Sequence, residues 1–261
     1  MVRVRQVRTD TRGIVDPGEL MRRVSFRRLA AAEPLRRWVE HYWLIDWELA
    51  EPFEQHVVPH PSVNIVFQRY AQEPELVELS GIGLELFSQK LEGAGRVAGV
   101  QFRPGGFRPF HDAPVSTLTG RRIALPAPEE PLLDNDDDAL CGQRLDAYLF
   151  GLDPQPDPLA DEAMRMVDAI RADRGIRRVE DFAAGQRLST RGLQRLFAEY
   201  VGVSPKWVIL RYRIHEAIEL ASPDVDWGRL AAELGYSDQA HLVRDFSHTL
   251  GVSPTAYTRS A

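Results

Sequence analysis

Seventeen residues near the C-terminus occur twice, forty-nine positions apart: Ser189 to Pro205 reads STRGLQRLFAEYVGVSP and Asp238 to Pro254 reads DQAHLVRDFSHTLGVSP. The copies share Leu193 with Leu242, Arg195 with Arg244, Phe197 with Phe246, and the closing Gly-Val-Ser-Pro. Leu193, Phe197 and Tyr200 recur at helical spacing, as do Leu242, Phe246 and Leu250, so each copy predicts a helix with one apolar stripe turned to a core. Ser189 and Asp238 stand where an N-cap belongs. Gly202 and Gly251 can take the left-handed conformation that ends a helix, and each following Ser-Pro pair supplies an N-cap and a proline for the next helix. The grammar is helix, turn, helix, written twice.

A short helix precedes each copy, at Val179 to Arg187 and at Trp227 to Leu234, with the Ala-Ala pairs 183–184 and 231–232 where it would cross its partner. Two short helices joined by a tight turn form the helix-turn-helix unit that reads DNA. Duplicated helical hairpins also build solenoids, but two copies are too few for one. Opposite the apolar stripe the first copy offers Thr190, Arg191, Gln194 and Arg195, flanked by Arg187, and the second Gln239, Ala240, His241, Val243 and Arg244. Arginine and glutamine carry the forked donors and acceptors that match guanine and adenine edges in the major groove.

Phe182 to Tyr257 resembles the DNA-binding domain of the AraC/XylS family of transcriptional regulators. The likeness is carried by Ala183-Ala184, Leu188-Ser189, Arg191, Leu193-Gln-Arg-Leu-Phe197 and Gly202-Val-Ser-Pro205, then by Leu230-Ala-Ala-Glu-Leu-Gly-Tyr236 and Asp238-Gln-Ala-His-Leu-Val-Arg244-Asp-Phe246. Leu230, Ala240, Leu242 and Thr258 depart from the residues common there, and Ala240 removes a hydroxyl from the second reading helix. The resemblance implies base reading by Thr190, Arg191, Gln194 and Arg195 and by Gln239, Ala240, Val243 and Arg244, with Arg187, Ser189 and Lys206 beside the backbone. For Arg195 and Arg244 a phosphate, or an internal carboxylate such as Glu199 or Asp245, is the competing partner. It also implies double-stranded DNA as partner and activation through contact with RNA polymerase.

The link between motifs, Pro205 to Ala221, would span about 26 Å as a helix at ~1.5 Å per residue, against ~34 Å between successive major grooves on one face of B-DNA. Charge gives less help. Asp157 to Ala261 holds fourteen Lys or Arg and fifteen Asp or Glu within a chain of net charge −6, whereas DNA-binding domains are usually basic. The basic residues, among them Arg174, Arg177, Arg178, Arg211, Arg213 and Arg229, are expected mostly in or beside the DNA-facing turns.

At 261 residues the chain has room for two domains. The expected fold class is α+β, with a β-rich effector-binding or dimerisation domain at 1–125, a Pro/Asp-rich connector with one helix at 126–158, and the double helix-turn-helix domain at 159–261. The connector holds the acidic run Asp134 to Asp138, a helix from Ala139 to Phe150, and Asp153-Pro-Gln-Pro-Asp-Pro158, a hinge through which no helix can continue. In the first domain Val24 to Leu29, Trp43 to Leu49, His56 to Val58, Val63 to Arg69, Leu76 to Leu79 and Val97 to Phe102 read as strands, and Leu35 to Tyr42 as a short helix. The segments HPSVNIVF (60–67), GVQFRPGGFRPF (99–110) and VSTLTGRR (115–122) resemble the N-terminal domain of one subset of AraC-like regulators, which implies a cupin-like sensor barrel.

Trp43, Trp47, His60, Asn64 and Arg103 are the candidate ligand contacts in that domain, drawn from an aromatic set that also includes Trp38, Tyr42, Phe53, Phe67, Phe102 and Phe107. His56 and His60 have a His-x3-His spacing, but on a strand such positions lie ~13 Å apart, so no metal is expected, nor a cofactor, nor a catalytic residue. The single Cys141 rules out an internal disulfide and suits a reducing cytoplasm. Met1 to Asp10, with its alternating arginines, lacks the apolar core of a signal peptide, and no run reaches membrane-spanning length. The reading is a cytoplasmic, sequence-specific transcription regulator, responsive to a small molecule held by the first domain and able to form a homodimer. Two rivals remain: a ligand-independent regulator whose first domain only dimerises, and a cupin-like enzyme fused to a DNA-binding domain.

Overall fold

The computed structural model describes residues 13–260 apart from Gln72, so the arginine-alternating stretch at Met1 to Asp10 lies outside the described residues. Helix α1 (Pro17–Arg23) starts on an Asp16 cap that accepts from the Glu19 amide. Six strands follow: β1 (Ser25–Leu29), β2 (Val39–Val57), β3 (Asn64–Tyr70), β4 (Leu76–Ser80), β5 (Phe87–Phe102) and β6 (Arg122–Leu125). They make one antiparallel sheet in the order β1-β2-β5-β3-β4-β6.

The sheet departs from the sequence reading in three ways. Residues 35–42 are not a helix: Glu33–Arg37 is one 3-10 turn, and Val39 and Tyr42 are already in β2, paired with Phe102 and Val100. Side chains at Val39, Tyr42 and Trp43 favour a pleated surface, and the strand partner overrides the helix-like spacing of Leu35, Trp38 and Tyr42. His56 to Val58 is no separate strand, because β2 runs on to Val57 and pairs with a β5 that begins ten residues before Val97. Finally, among the described residues β1 and β6 each pair on one side only, so backbone pairing does not by itself close the sheet into the cupin-like barrel the resemblance implied.

Alternation along β2 divides the two faces. Tyr42 and Leu44 are fully buried in the main core with Phe67, Ala98, Val100 and Phe102 of the neighbouring strands. Helices α2 (Asp138–Gly151) and α3 (Pro158–Ala172) cover this face, contributing Cys141, Leu145, Leu149, Ala163 and Val167 to the same core. Burying such side chains is worth about 1.5–3 kcal/mol each. Polar contacts fix the register of α2: the Asp146 carboxylate accepts from the Tyr42 hydroxyl at 2.7 Å and from the Ala32 amide at 2.8 Å. The acidic run clamps the sheet, with Asp134 on Arg69, Asp136 and Asp138 on buried Arg96, and Asp138 on Arg27. Both helices flanking residues 153–157 therefore pack into the core.

Six helices complete the described chain: α4 (Val179–Gly185), α5 (Thr190–Leu196), α6 (Pro205–Glu219), α7 (Trp227–Glu233), α8 (Gln239–Leu250) and α9 (Pro254–Ser260). A π-helical turn, Phe197–Val201, extends α5. Ser189 caps α5 by accepting from the Gly192 amide, Asp238 caps α8 by accepting from that of His241, and Ser204 caps α6 by accepting from that of Trp207. Gly202 and Gly251 both end their helices in the left-handed conformation, at φ 91° and 75°. Leu193, Phe197 and Tyr200 join the main core, whereas Leu242, Phe246 and Leu250 form a second core with Trp227, Leu230 and Ile214.

Candidate nucleic-acid interface and ligand cavity

Each helix pair, α4 with α5 and α7 with α8, turns the polar side of its second helix outward. Arg187, Ser189, Arg191, Gln194, Arg195 and Lys206 are exposed, and Thr190 is half-buried. On α8 Gln239, Ala240 and Arg244 are exposed and Val243 is half-buried. The carboxylates that competed for the repeat arginines are not paired with them. Glu199 accepts instead from Arg108 Nε at 3.0 Å, and among the described residues no carboxylate forms an ion pair with Arg187, Arg191, Arg195 or Arg244. These guanidinium groups are available to an outside anion.

Several other basic residues are buried or already paired with carboxylates of the chain. Arg211 is buried, lies over the Trp207 ring at 4.6 Å and donates to the Leu84 carbonyl; burial pulls its guanidinium down to about 10. Arg213 donates to the carbonyls of Gly235 and Ile176, tying α6 to the turn after α7. Arg174 and Arg229 pair with Glu216 and Glu233. The cationic surface is therefore narrower than composition suggests. Helix α6, at fifteen residues, is about 22 Å long.

The other face of the sheet encloses a cavity of about 270 Å³. Residues as far apart on β2 as His41 and Val57 line it, together with Phe87 and Leu91 of β5. Sixteen residues of straight strand would span ~53 Å, so the β2–β5 ribbon must fold over, and its register breaks between Leu49 and Phe53. Trp43 and Trp47 form the cavity floor, each opposite a glycine: Trp43 is paired with Gly99 and Trp47 with Gly95. A Cβ at Gly99 would stand 2.0 Å from Trp43 Cε2, and one at Gly95 2.2 Å from Trp47 Cζ2. Only glycine leaves room for these indoles to lie on the backbone. Their N–H groups donate to Asn64 Oδ1 at 3.4 Å and to the Glu92 carbonyl at 3.2 Å.

Of the five candidate ligand residues, Trp43, Trp47, His60 and Asn64 line this one cavity. Arg103 does not. It donates to the Asp168 carboxylate at 2.7 Å and to the Arg37 carbonyl, joining the sheet to α3. Its assignment as a ligand contact is corrected accordingly: a carboxylate sixty-five residues away in sequence already satisfies it. Of the other aromatics, Trp38, Tyr42, Phe67, Phe102 and Phe107 fill the main core, and Phe53 packs on the cluster around Trp47. Sequence reasoning missed His41, Gln101, Ser80 and Arg122 as lining residues; their shared position across the sheet depends on pairings the sequence does not disclose.

One wall of the cavity also carries the second helical motif. Val57, Val58, Pro59, His60 and Ser62 line the cavity, yet Val58 is also buried in the core of α6 to α8. The Pro59 carbonyl lies 3.0 Å from His215 Nε2, and the His60 ring meets the edges of Tyr212 and His215 on α6 at 5.7 and 5.8 Å. Tyr257 Oη donates to the Val15 carbonyl beside the same wall. The first motif is docked elsewhere, through Thr119 Oγ1, which donates to the Gly202 carbonyl at 2.7 Å.

Comparisons with known proteins agree with this division. Residues 182–260 match the family model described as a helix-turn-helix domain, and residues 27–124 match one described as a domain of unknown function (DUF6597). Among solved structures, the C-terminal domain of AraT, a response regulator from Geobacillus stearothermophilus, is 23% identical over 40% of this chain and 87% of its own, with a TM-score of 0.37. An AraC-type transcriptional regulator from Chromobacterium violaceum is 22% identical over 36% of this chain and 87% of its own, with a TM-score of 0.33. ToxT from Vibrio cholerae aligns over 90% of this chain and 97% of its own at 12% identity and a TM-score of 0.44. No curated protein sequence matches the chain. No helix among the described residues is long and apolar enough to cross a membrane. With two capped helix pairs presenting arginine and glutamine outward, the chain is a DNA-binding transcription regulator. Its helix-turn-helix domain is of the AraC type.

Proposed function

We propose that the chain is a cytoplasmic regulator that reads a specific operator with both helix pairs and alters that reading when a small molecule occupies the cavity of the sheet. In the first motif Arg191 and Gln194 read bases, with Thr190 and Arg195 beside them; in the second Gln239, Ala240, Val243 and Arg244 do so. Arg187, Ser189 and Lys206 hold phosphates, which set orientation rather than sequence. Contact with RNA polymerase would turn such binding into activation.

The observation that carries ligand control is the shared wall. Val58, Pro59 and His60 face the cavity on one side and α6 with the second core on the other. An occupant that shifts this wall shifts the placement of α7 and α8 relative to the first motif, which has its own anchor through Thr119 and Gly202. That is a coupling free energy between two sites, bounded by the ligand's differential affinity for the two placements. Footprinting on DNA flanking the coding region, with and without metabolite extract, tests it. Protection of one site of about two helical turns that changes with extract supports the reading; protection indifferent to extract overturns the ligand control.

The dimerisation-only alternative also has an observation behind it. Phe150, Leu152 and Leu159 are each exposed where α2 gives way to α3, and exposed apolar side chains suit a second copy of the chain. A monomer at micromolar concentration by sedimentation would dismiss it.

A further inference from the structure

The sheet register sorts the cavity into rows. His41 is paired with Gln101, Gln101 with Asn64, Asn64 with Ser80, and Ser80 with Arg122. All five line the cavity, so one row crossing β2, β5, β3, β4 and β6 is polar from end to end. The rows beside it are not. Trp43 over Gly99 is followed by Val66, with Arg28 at the outer end of the row; then Phe26, Ile45 and Val97 stand together, with Gln68 beyond Val97; then Trp47 over Gly95 meets Tyr70. His60 and Ser62, joined by a 2.8 Å hydrogen bond, close the polar end.

Charge narrows the choice. Glu40 at the polar end is matched by Arg171 at 3.5 Å, and Arg122 by Glu78 at 2.5 Å. Arg28, stacked over Phe26, adds one more guanidinium to the lining. Among the arginines and glutamates that line the cavity, Arg28 and Arg122 stand against Glu40, which disfavours a cationic guest.

Resting on the ligand-responsive reading above, we propose that the cavity takes a small amphipathic molecule whose flat apolar body lies on Trp43 and Trp47 and whose neutral or singly negative hydrogen-bonding head meets the row His41, Gln101, Asn64, Ser80 and Arg122. A flat body suits a floor made of two indoles lying on glycines, since such rings offer a face rather than an edge. Asn64 Oδ1 already accepts from Trp43 Nε1 at 3.4 Å, and a head group that covers the Asn64 and Gln101 amides without pairing their remaining groups pays their desolvation cost.

Equilibrium dialysis of the full chain against one ring system with four heads tests this: naphthalene, 2-naphthol, 2-naphthoate and 2-naphthylmethylammonium. The expected result is that naphthol or naphthoate binds about tenfold or more tightly than naphthalene, the difference one hydrogen bond makes, with the ammonium weakest. Asn64→Leu and Gln101→Leu, each made singly so that misfolding of one leaves the other, should erase that preference while naphthalene binding stays within about twofold. Naphthalene binding as well as the headed compounds, the ammonium binding tightest, or no member binding would overturn the proposal. An operator that responds to extract while no member binds would sink this ligand class and leave the regulator reading standing. Binding of the headed pair at a protein whose DNA contacts ignore every effector would do the reverse.

Discussion

Trp43 lies across the backbone of Gly99 on the neighbouring strand, with its Cε2 2.0 Å from where a Cβ would stand. The relationship makes the cavity possible, because an indole standing off the sheet would fill it. Gly99→Ala should lift the ring into the space above and cost about 1–3 kcal/mol through overpacking. The expected outcome is a Tm lowered by several degrees, together with loss of binding of any guest that enters the cavity and unchanged DNA affinity without one. A variant of unchanged Tm that still binds its guest would show that the ring needs no glycine.

Gly202 joins the two halves of the molecule in a comparable way. Its φ of 91° is disfavoured for any residue with a Cβ, and an added Cβ would come within 2.7 Å of Ile82 Cδ1 and 2.9 Å of Val115 Cγ1. Gly251 has the same role as a helix stop in the second copy, at φ 75°, but no atom lies within 4 Å of its Cβ position. Alanine at 251 should therefore cost about 1–2 kcal/mol from the backbone alone, whereas alanine at 202 should cost more by an overpacking increment. Thermal melts of the two single variants give the comparison directly. Equal losses would mean that the first motif is not pressed against residues 82 and 115.

These two glycines also mark what the sequence discloses and what it withholds. Local grammar was legible: the repeat, the Ser189, Ser204 and Asp238 caps, and the left-handed glycines depend on residues within a few positions of one another. The strands over Ser25–Leu29, Asn64–Tyr70 and Leu76–Ser80 show the same kind of short-range signal. The outer half of the β2–β5 ribbon does not, since Glu54, Lys90 and Glu92 face solvent there and hide the inward-facing Gln55, Gln89 and Leu91. Arg103 and Arg211 misled for a related reason. Their partners, Asp168 and the Leu84 carbonyl, lie far away in sequence, and an arginine's charge does not tell whether it faces an outside anion. Trp43, Trp47, His60 and Asn64 were picked by residue type, yet only the strand register shows that they share one cavity with Gln101 and Ser80.

Cys141 offers a probe of the packing of α2. It is fully covered, and burial pushes its thiol up to about 11 from an ordinary 9.0. A two-unit rise leaves about a hundredfold less thiolate at pH 8, and coverage slows attack further. Thiol reagent at pH 8 should therefore label the native chain far more slowly than the same chain in denaturant. Cavity guests that only move the wall at Val58 to His60 should leave this rate unchanged. Rapid native labelling would mean that α2 opens from the sheet.

The last test separates base reading from phosphate holding among the exposed arginines. Arg191 lies on the first turn of α5 and Arg195 on its last, and neither has an ion-pair partner among the described residues. Position favours Arg191 as a reader, because residues near the start of a recognition helix reach base edges. Arg191→Ala should cost about 1–3 kcal/mol at the cognate operator and relax its sequence preference, while weak binding to unrelated DNA stays nearly intact. Arg195→Ala, if its partner is a phosphate, should weaken all sequences alike and lower the salt dependence of binding by about one unit of slope. Gel-shift titrations of both variants at two salt concentrations on cognate and scrambled duplexes read out the affinities needed. Should Arg191→Ala lose affinity equally on both duplexes, it is the phosphate contact, and base reading in the first motif falls to Gln194 and Thr190.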